Sequence, residues 1–228
     1  NGLRNLLDYA KKRADLGKPI ISMLYFSTSE IYGDPSPDAI PTSETYRGFV
    51  SCTGPRACYD ESKRLGETLC VNFAQQFDVP VKIVRPFNNY GPGLSINDRR
   101  ILPDLARDMI AEKDLILLSD GKARRTFCYV ADAVCGYIKI LVKGRPGEPY
   151  NIGTQAPEIS MRELAEKVAE KVAEKEAEIL RQEAGILRLK LEQLDIAEND
   201  DDQSLDLPTT VPDTQTTDSG LIFSISLK

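Results

Sequence analysis

Histidine is absent from this 228-residue chain. Without an imidazole, Ser-His and Cys-His nucleophilic mechanisms are excluded. The five cysteines are Cys52, Cys58, Cys70, Cys128 and Cys135; they are odd in number and show no Cys-x-x-Cys or zinc-like spacing. A disulfide framework and a metal site are therefore not expected, and a reducing cytoplasm suits the thiols best. No apolar run is long enough for a membrane span. The start, Asn1-Gly2-Leu3-Arg4-Asn5, lacks both Met and the charged-then-apolar layout of a signal peptide, which reads as a fragment or a processed chain. With a net charge of −6 and no basic stripe interleaved with aromatics, a nucleic-acid partner is not expected either. What remains, with 41% hydrophobic residues, can bury a core and form one domain or a domain plus an appendage.

Two segments carry chemistry. The first is Ser27-Thr28-Ser29-Glu30-Ile31-Tyr32-Gly33 and the second is Gly54-Pro55-Arg56-Ala57-Cys58-Tyr59-Asp60-Glu61-Ser62-Lys63. Tyr59 and Lys63 stand four residues apart at the start of an expected helix, which places both side chains on one face. A phenol titrates near ~10 and is a poor base at neutral pH unless a neighbouring ammonium stabilises its phenolate. Lys63, one turn on, is placed to do so. A hydroxyl such as Thr28 can then share a hydrogen bond with the same substrate oxygen, giving a proton relay for oxidising an alcohol. The pair alone carries little weight, because with nine tyrosines roughly half of one Tyr-x-x-x-Lys is expected by chance.

It does not stand alone. Arg85-Pro86-Phe87-Asn88-Asn89-Tyr90-Gly91-Pro92-Gly93 and Arg125-Thr126-Phe127-Cys128-Tyr129-Val130-Ala131-Asp132 follow in order. Taken together, the four segments resemble the extended short-chain dehydrogenase/reductase family. Within it, the chain looks most like UDP-glucuronate decarboxylases and related nucleotide-sugar enzymes. The resemblance runs from about Asn1 to about Val168.

Periodicity along the chain agrees with an α/β protein. Leu3, Leu6, Leu7 and Ala10 predict a helix over residues 1–13, ended by Gly17. The apolar run of residues 19–26 predicts a strand buried on both faces of a parallel sheet, with Thr28, Ser29 and Glu30 just past its C-terminal end, where ligands sit in open α/β sheets. Residues 33–55 read as a loop over the site. A helix over 58–77 precedes a strand over 79–84, which delivers Arg85 to Asn88 to the same sheet edge. Further helices are expected at 101–111 and 132–141, strands at 115–118 and 149–152, and an extended piece at 125–130. Ser160 and Glu163 form a capping-box pair ahead of a helix beginning near Met161.

Beyond about Ala169 the composition changes. Lys167-Val168-Ala169-Glu170 is followed at once by Lys171-Val172-Ala173-Glu174, and Ala, Glu, Lys, Leu and Arg dominate through Ile196, a strong helix composition. Apolar residues at 161, 164, 168, 172, 179 and 186 form a stripe suited to docking on the body or to self-association. Residues 198–219, acidic and rich in Thr and Pro, read as disordered. Residues 221–227 alternate like a strand without an evident partner. The expected layout is a catalytic region over 1–168, a charged helical extension over 169–197 and an acidic tail over 198–228.

The resemblance implies a partial Rossmann-like, doubly wound parallel sheet, a small substrate-binding lobe, an appended C-terminal helix, and NAD as cofactor. It makes Tyr59 the base for the sugar 4-hydroxyl, and has Lys63 favour the phenolate and hold the nicotinamide ribose. Thr28 would bond the reacting oxygen, Glu30 orient or protonate the intermediate, and Arg125 hold the substrate carboxylate or pyrophosphate. Pro86 and Phe87 would line the cofactor, and Ser29, Asn88 and Arg100, or Arg99 beside it, would contact substrate. Once carbon 4 is a ketone, a carboxylate on carbon 5 is a β-keto acid and leaves as carbon dioxide. Related 4,6-dehydratases carry Thr-Asp-Glu where this chain has Thr28-Ser29-Glu30, so dehydration is the weaker alternative and 4-epimerisation stays open.

One family feature is not in this sequence: the Gly-x-x-Gly-x-x-Gly loop whose following helix cradles the dinucleotide pyrophosphate. The expectation is that much of the dinucleotide half is missing. An inactive sugar-nucleotide-binding or interaction remnant is therefore a further alternative. The resemblance also implies a homodimer through the helices at 1–13 and 58–77.

Overall fold

The computed structural model describes residues 2–193 and 223–225. The chain divides into two compact units, one of residues 1–93 with 126–158 and one of 94–125 with 159–228.

The first unit is built on a parallel sheet. Helix α1 (Gly2–Asp15) leads to strand β1 (Met23–Phe26), and helix α2 (Ala57–Phe77) to strand β2 (Val81–Pro86). After the short strand β3 (Asn89–Tyr90), and from Thr126 onward, come β6 (Cys128–Tyr129), α4 (Val130–Lys143) and β7 (Pro149–Ile152). Strands β1, β2 and β7 form one sheet in that order, all parallel, with Phe26 opposite Val84 and Arg85 opposite Asn151. A second, two-stranded parallel ladder joins β3 to β6.

Side chains alternate across a strand, so β2 serves two layers. Val81 and Ile83 face α1 and α2, forming a core with Leu7, Ala10, Cys70 and Phe73. Lys82 points the other way, its Nζ donating to Ser22 Oγ at 2.6 Å and to the Leu141 carbonyl of α4 at 3.3 Å. Helices thus cover both faces, which makes the sheet doubly wound. Fully burying a side chain such as Leu7 contributes about 1.5–3 kcal/mol.

The strand expected over residues 19–26 needs correction. It begins only at Met23, Ile21 is 94% exposed, and Phe26 is 46% exposed. Among the described residues β1 pairs only with β2 and forms the sheet edge. The central position, buried on both faces, belongs to β2.

The second unit contains α3 (Ile101–Ile110), β4 (Leu115–Leu117), β5 (Arg124–Arg125), β8 (Ile159–Ser160), α5 (Met161–Gln193) and β9 (Phe223–Ile225). Leu105, Leu115, Leu117 and Ala165 form its core, with Leu164 and Val168 packed against them. The capping box is present: Ser160 N donates to Glu163 Oε2 at 2.7 Å and Glu163 N to Ser160 Oγ at 3.1 Å. The apolar stripe of α5 divides, since Leu164 and Val168 dock while Ile179 and Ile186 are exposed. The terminal alternation finds a partner, as β9 pairs antiparallel with β4. The disorder expected over residues 198–219 lies outside the described residues.

Candidate active site

Strand β1 ends by handing its ladder to Ser27, whose N–H donates to the Val84 carbonyl at 2.8 Å. Thr28 is buried and caps the following 3₁₀ turn, Ser29–Tyr32, its Oγ1 accepting from Glu30 N at 3.3 Å. That cap turns the chain sharply and brings Ser29 and Glu30 out at the C-terminal end of the sheet.

Helix α2 supplies the other half. Tyr59 lies in its first turn and is 45% exposed. Lys63 follows one turn on, its Nζ 5.8 Å from the Tyr59 ring centre and 5.6 Å from that of Tyr25. The same Nζ donates to the Phe26 carbonyl at 2.8 Å, fastening α2 to the end of β1. Arg56, at the N-cap of α2, reaches Glu30 Oε2 at 3.0 Å and lies 5.7 Å from the Tyr59 ring centre. Thr28, Glu30, Tyr59 and Lys63 are therefore carried at the junction of β1 with α2.

The two phenols near Lys63 differ. Tyr25 packs against Gly66 of α2, and burial, with lesser contributions from Cys70, Glu67 and Tyr59, pushes its hydroxyl up to about 12. It stays a neutral phenol at working pH, which leaves Tyr59 as the solvent-facing candidate base.

Beneath the site lies a buried polar network. Arg85 on β2 makes a bidentate pair with Glu67 of α2, Nε to Oε1 at 2.9 Å and Nη2 to Oε2 at 2.6 Å. Its Nη1 donates to Tyr32 Oη at 2.6 Å and to the Glu44 carbonyl at 2.8 Å. Tyr32 Oη donates in turn to Asn151 Oδ1 at 2.7 Å. Burial by itself lowers the Arg85 pKa, but the Glu67 bonds and charge outweigh it and the net shift is upward. Burial also pushes the Tyr32 hydroxyl up, against the opposing pull of Arg85. These bonds join the 3₁₀ turn, the loop at Glu44, α2, β2 and β7 into one support.

The remaining expected residues fall into two groups. In the first unit, Pro86 and Phe87 end β2, and Phe87 tilts against Tyr32 with ring centres 6.1 Å apart. Asn88 has φ +34 and its Nδ2 donates to the Thr126 carbonyl at 3.1 Å. In the second unit, Arg100 Nε donates to Asp98 Oδ2 at 2.9 Å, and Arg125, exposed on β5, donates to the Arg124 carbonyl at 3.1 Å. Arg56 and the network about Arg85 were given no role by sequence reasoning. Arg56 stood within the second motif, but its partner Glu30 lies 26 residues away. Ser27 has no role in the sequence reading either: its Oγ is buried without a hydrogen-bond partner among the described residues, beside Thr28.

A parallel sheet with helices on both faces and a Tyr-x-x-x-Lys helix at a strand's C-terminal end is the layout of a nucleotide-dependent dehydrogenase. The chain matches the model of the NAD dependent epimerase/dehydratase family over residues 1–153 and belongs to that family. It is 40% identical over 167 residues to UDP-glucuronic acid decarboxylase 3 of Arabidopsis thaliana, covering 73% of this chain and 46% of the relative. It is 38% identical over 152 residues to UDP-glucuronic acid decarboxylase 1 of Xenopus tropicalis, covering 67% and 34% respectively. The chain thus spans less than half the length of each. Among solved structures, dTDP-glucose 4,6-dehydratase of Bacillus anthracis in complex with NAD matches at TM-score 0.62 and 27% identity, over 73% of this chain and 49% of that one. UDP-glucose 4-epimerase of Thermotoga maritima shares the fold, at TM-score 0.66 and 22% identity over 75% of this chain and 52% of that one. No helix among the described residues is long and apolar enough to cross a membrane.

Proposed function

We propose that this chain carries the catalytic centre of an NAD-dependent nucleotide-sugar enzyme of the UDP-glucuronate decarboxylase type. The observation that carries the reading is the junction at which Lys63 holds the Phe26 carbonyl at 2.8 Å while facing the Tyr59 ring. Tyr59, Lys63 and Thr28, which this reading takes as base, ammonium and hydroxyl partner, lie near that strand end. The decarboxylases related to the chain support the choice of reaction.

The residues present fit the nicotinamide end of the cofactor. Tyr59, Lys63, Pro86 and Phe87 would hold it there, and the unpartnered buried Ser27 Oγ beside Thr28 leaves a polar group for a bound ring or sugar. When bound, NAD supplies a hydride acceptor for carbon 4 of the sugar and returns the hydride at the end of the cycle. Tyr59 takes the proton of the 4-hydroxyl, with Lys63 favouring the resulting anion and Thr28 bonding the same oxygen. When the carboxylate leaves as carbon dioxide, its bonding electrons pass onto the ketone oxygen. There the Tyr59 and Thr28 hydroxyls stabilise the charge. Glu30 orients the sugar or protonates the intermediate, while Ser29 and Asn88 contact the substrate.

The test is calorimetric titration of the chain with NAD and then UDP-glucuronate, followed by an assay of carbon dioxide release. Saturable binding of both with gas release supports the reading. Binding of the sugar nucleotide without any NAD binding favours a second reading, a sugar-nucleotide-binding module.

A homodimer through α1 and α2 belongs to the same proposal. The two helices pack side by side, Arg4 5.3 Å from the Phe73 ring centre and Lys11 5.2 Å from that of Phe77. They leave Leu6, Tyr9 and Leu65 exposed. Leu65→Glu is expected to shift sedimentation from dimer to monomer; an unshifted dimer places the interface elsewhere. A cytoplasmic location accords with five free thiols; cell fractionation that recovered the protein from an oxidising compartment would refute it.

A further inference from the structure

Arg56 has no use in the fold or the chemistry set out above. It occupies the N-cap of α2 without a side-chain capping bond. Its partners are Glu30, through one terminal nitrogen at 3.0 Å, and the face of Tyr59 at 5.7 Å. Both members of the ion pair are exposed, at 62% and 47%, and ion pairs this open to water add little to stability. Stability therefore does not account for the guanidinium being here.

The other cations of α2 and β2 are committed. Lys63 donates to the Phe26 carbonyl at 2.8 Å. Arg64 Nη1 is shared between the Ile31 and Arg47 carbonyls, each at 3.0 Å. Lys82 is buried and donates to Ser22 Oγ and the Leu141 carbonyl, and Arg85 is buried and closed by Glu67. Arg56 alone of these five presents a fork of N–H donors to solvent beside Tyr59, and among the described residues it has no further hydrogen-bond partner.

A sugar acid brings its own negative charge to this point. The carbon bearing the carboxylate adjoins the one whose hydroxyl Tyr59 deprotonates, so the carboxylate arrives close to Glu30. Two carboxylates at short range repel unless a cation lies between them. A guanidinium accommodates a carboxylate through two parallel N–H···O bonds and keeps donors over for a second. Glu30 now occupies one side of that fork, which shows that an acidic group is held there.

Resting on the nucleotide-sugar reading, we propose that Arg56 is the specificity-determining cation of this site. It takes the carboxylate of an incoming sugar acid, and Glu30 holds the guanidinium beside Tyr59 until the substrate arrives. An uncharged sugar makes no such demand.

The test is calorimetry on the full chain with saturating NAD, using UDP-glucuronate and UDP-glucose as probes against the parent, Arg56→Gln, Arg56→Lys and Glu30→Gln. Arg56→Gln is expected to weaken UDP-glucuronate about tenfold, the loss of one charge-assisted contact, and to leave UDP-glucose unchanged. Arg56→Lys keeps the charge without the fork and should fall between. Glu30→Gln removes the competing carboxylate and should tighten UDP-glucuronate alone. Equal weakening of both probes in Arg56→Gln would mean that Arg56 only supports the loop, and an undiminished preference for UDP-glucuronate would mean that another cation reads the carboxylate; either overturns the proposal. A parent chain that binds neither probe overturns the nucleotide-sugar reading itself, and this inference with it.

Discussion

Lys63 Nζ donates to the carbonyl oxygen of Phe26 at 2.8 Å while standing 5.8 Å from the ring centre of Tyr59. One ammonium thereby fastens helix α2 to the last residue of strand β1 and stands beside the candidate base.

Tyr59→Phe separates the two roles. The ring stays and only a solvent-facing hydroxyl goes, so stability should change by no more than about 0.5 kcal/mol. Carbon dioxide release from UDP-glucuronate should fall by about 10²–10⁴, the range for losing a positioned acid–base group. Lys63→Met should lose activity comparably and also lower the melting temperature by a few degrees, since the tie to Phe26 is removed. Retention of more than a tenth of the activity in Tyr59→Phe would assign the base elsewhere.

Gly66 reverses the usual helix rule. Replacing a mid-helix glycine by alanine ordinarily stabilises by about 1 kcal/mol. Here a Cβ would lie 2.1 Å from Tyr25 Oη and 2.5 Å from its Cζ, and such overpacking costs about 1–3 kcal/mol or more. Thermal unfolding of Gly66→Ala should therefore show net destabilisation, largely recovered by adding Tyr25→Leu. A Gly66→Ala protein as stable as the parent would show that Tyr25 moves aside freely.

The Arg85–Glu67 pair is buried at both ends. Removing one partner leaves a charge without compensation, so Arg85→Met or Glu67→Leu alone should cost about 3–5 kcal/mol in urea unfolding. The double variant should cost well under the sum of the two, because no orphan charge remains. Additive losses would show that the pair is not coupled.

Thiol reactivity should divide by location. Cys52, Cys58 and Cys135 are exposed whereas Cys70 and Cys128 are buried, so a disulfide reagent should titrate three thiols in the native protein and five in denaturant. Burial first, and then the charge of Glu67, push the Cys70 thiol up to about 12 from its ordinary 9.0. The folded state thus holds that proton more tightly. The stability this supplies is complete below pH 9.0 and is lost as the pH rises toward about 12. Unfolding curves between those limits should show the loss, and Cys70→Ala should flatten it, while an unchanged slope in that variant would assign the loss to another group.

Features that depend on near neighbours were legible before any coordinates. The 3.6-residue period of Leu3, Leu7 and Ala10 describes α1, and the Ser160–Glu163 box describes the start of α5, because both express hydrogen bonds and faces within a single turn. The spacing of Tyr59 and Lys63 is of the same kind. An apolar run, by contrast, does not state how many neighbours a strand has. Residues 19–26 read as doubly buried, yet among the described residues β1 pairs only with β2, and β2, with Lys82 and Arg85 in its sequence, is the buried centre.

The sequence by itself determined the family, the element order and the helix face carrying Tyr59 and Lys63, since each follows from residue type and local spacing. Only the tertiary structure decided that Lys63 closes on Phe26, 37 residues earlier. It likewise decided that Glu67 neutralises Arg85 and that Arg56 meets Glu30. Those pairings arise where the ends of parallel strands converge with the helix that follows, and charge placement there is set by three-dimensional packing, which no local period encodes.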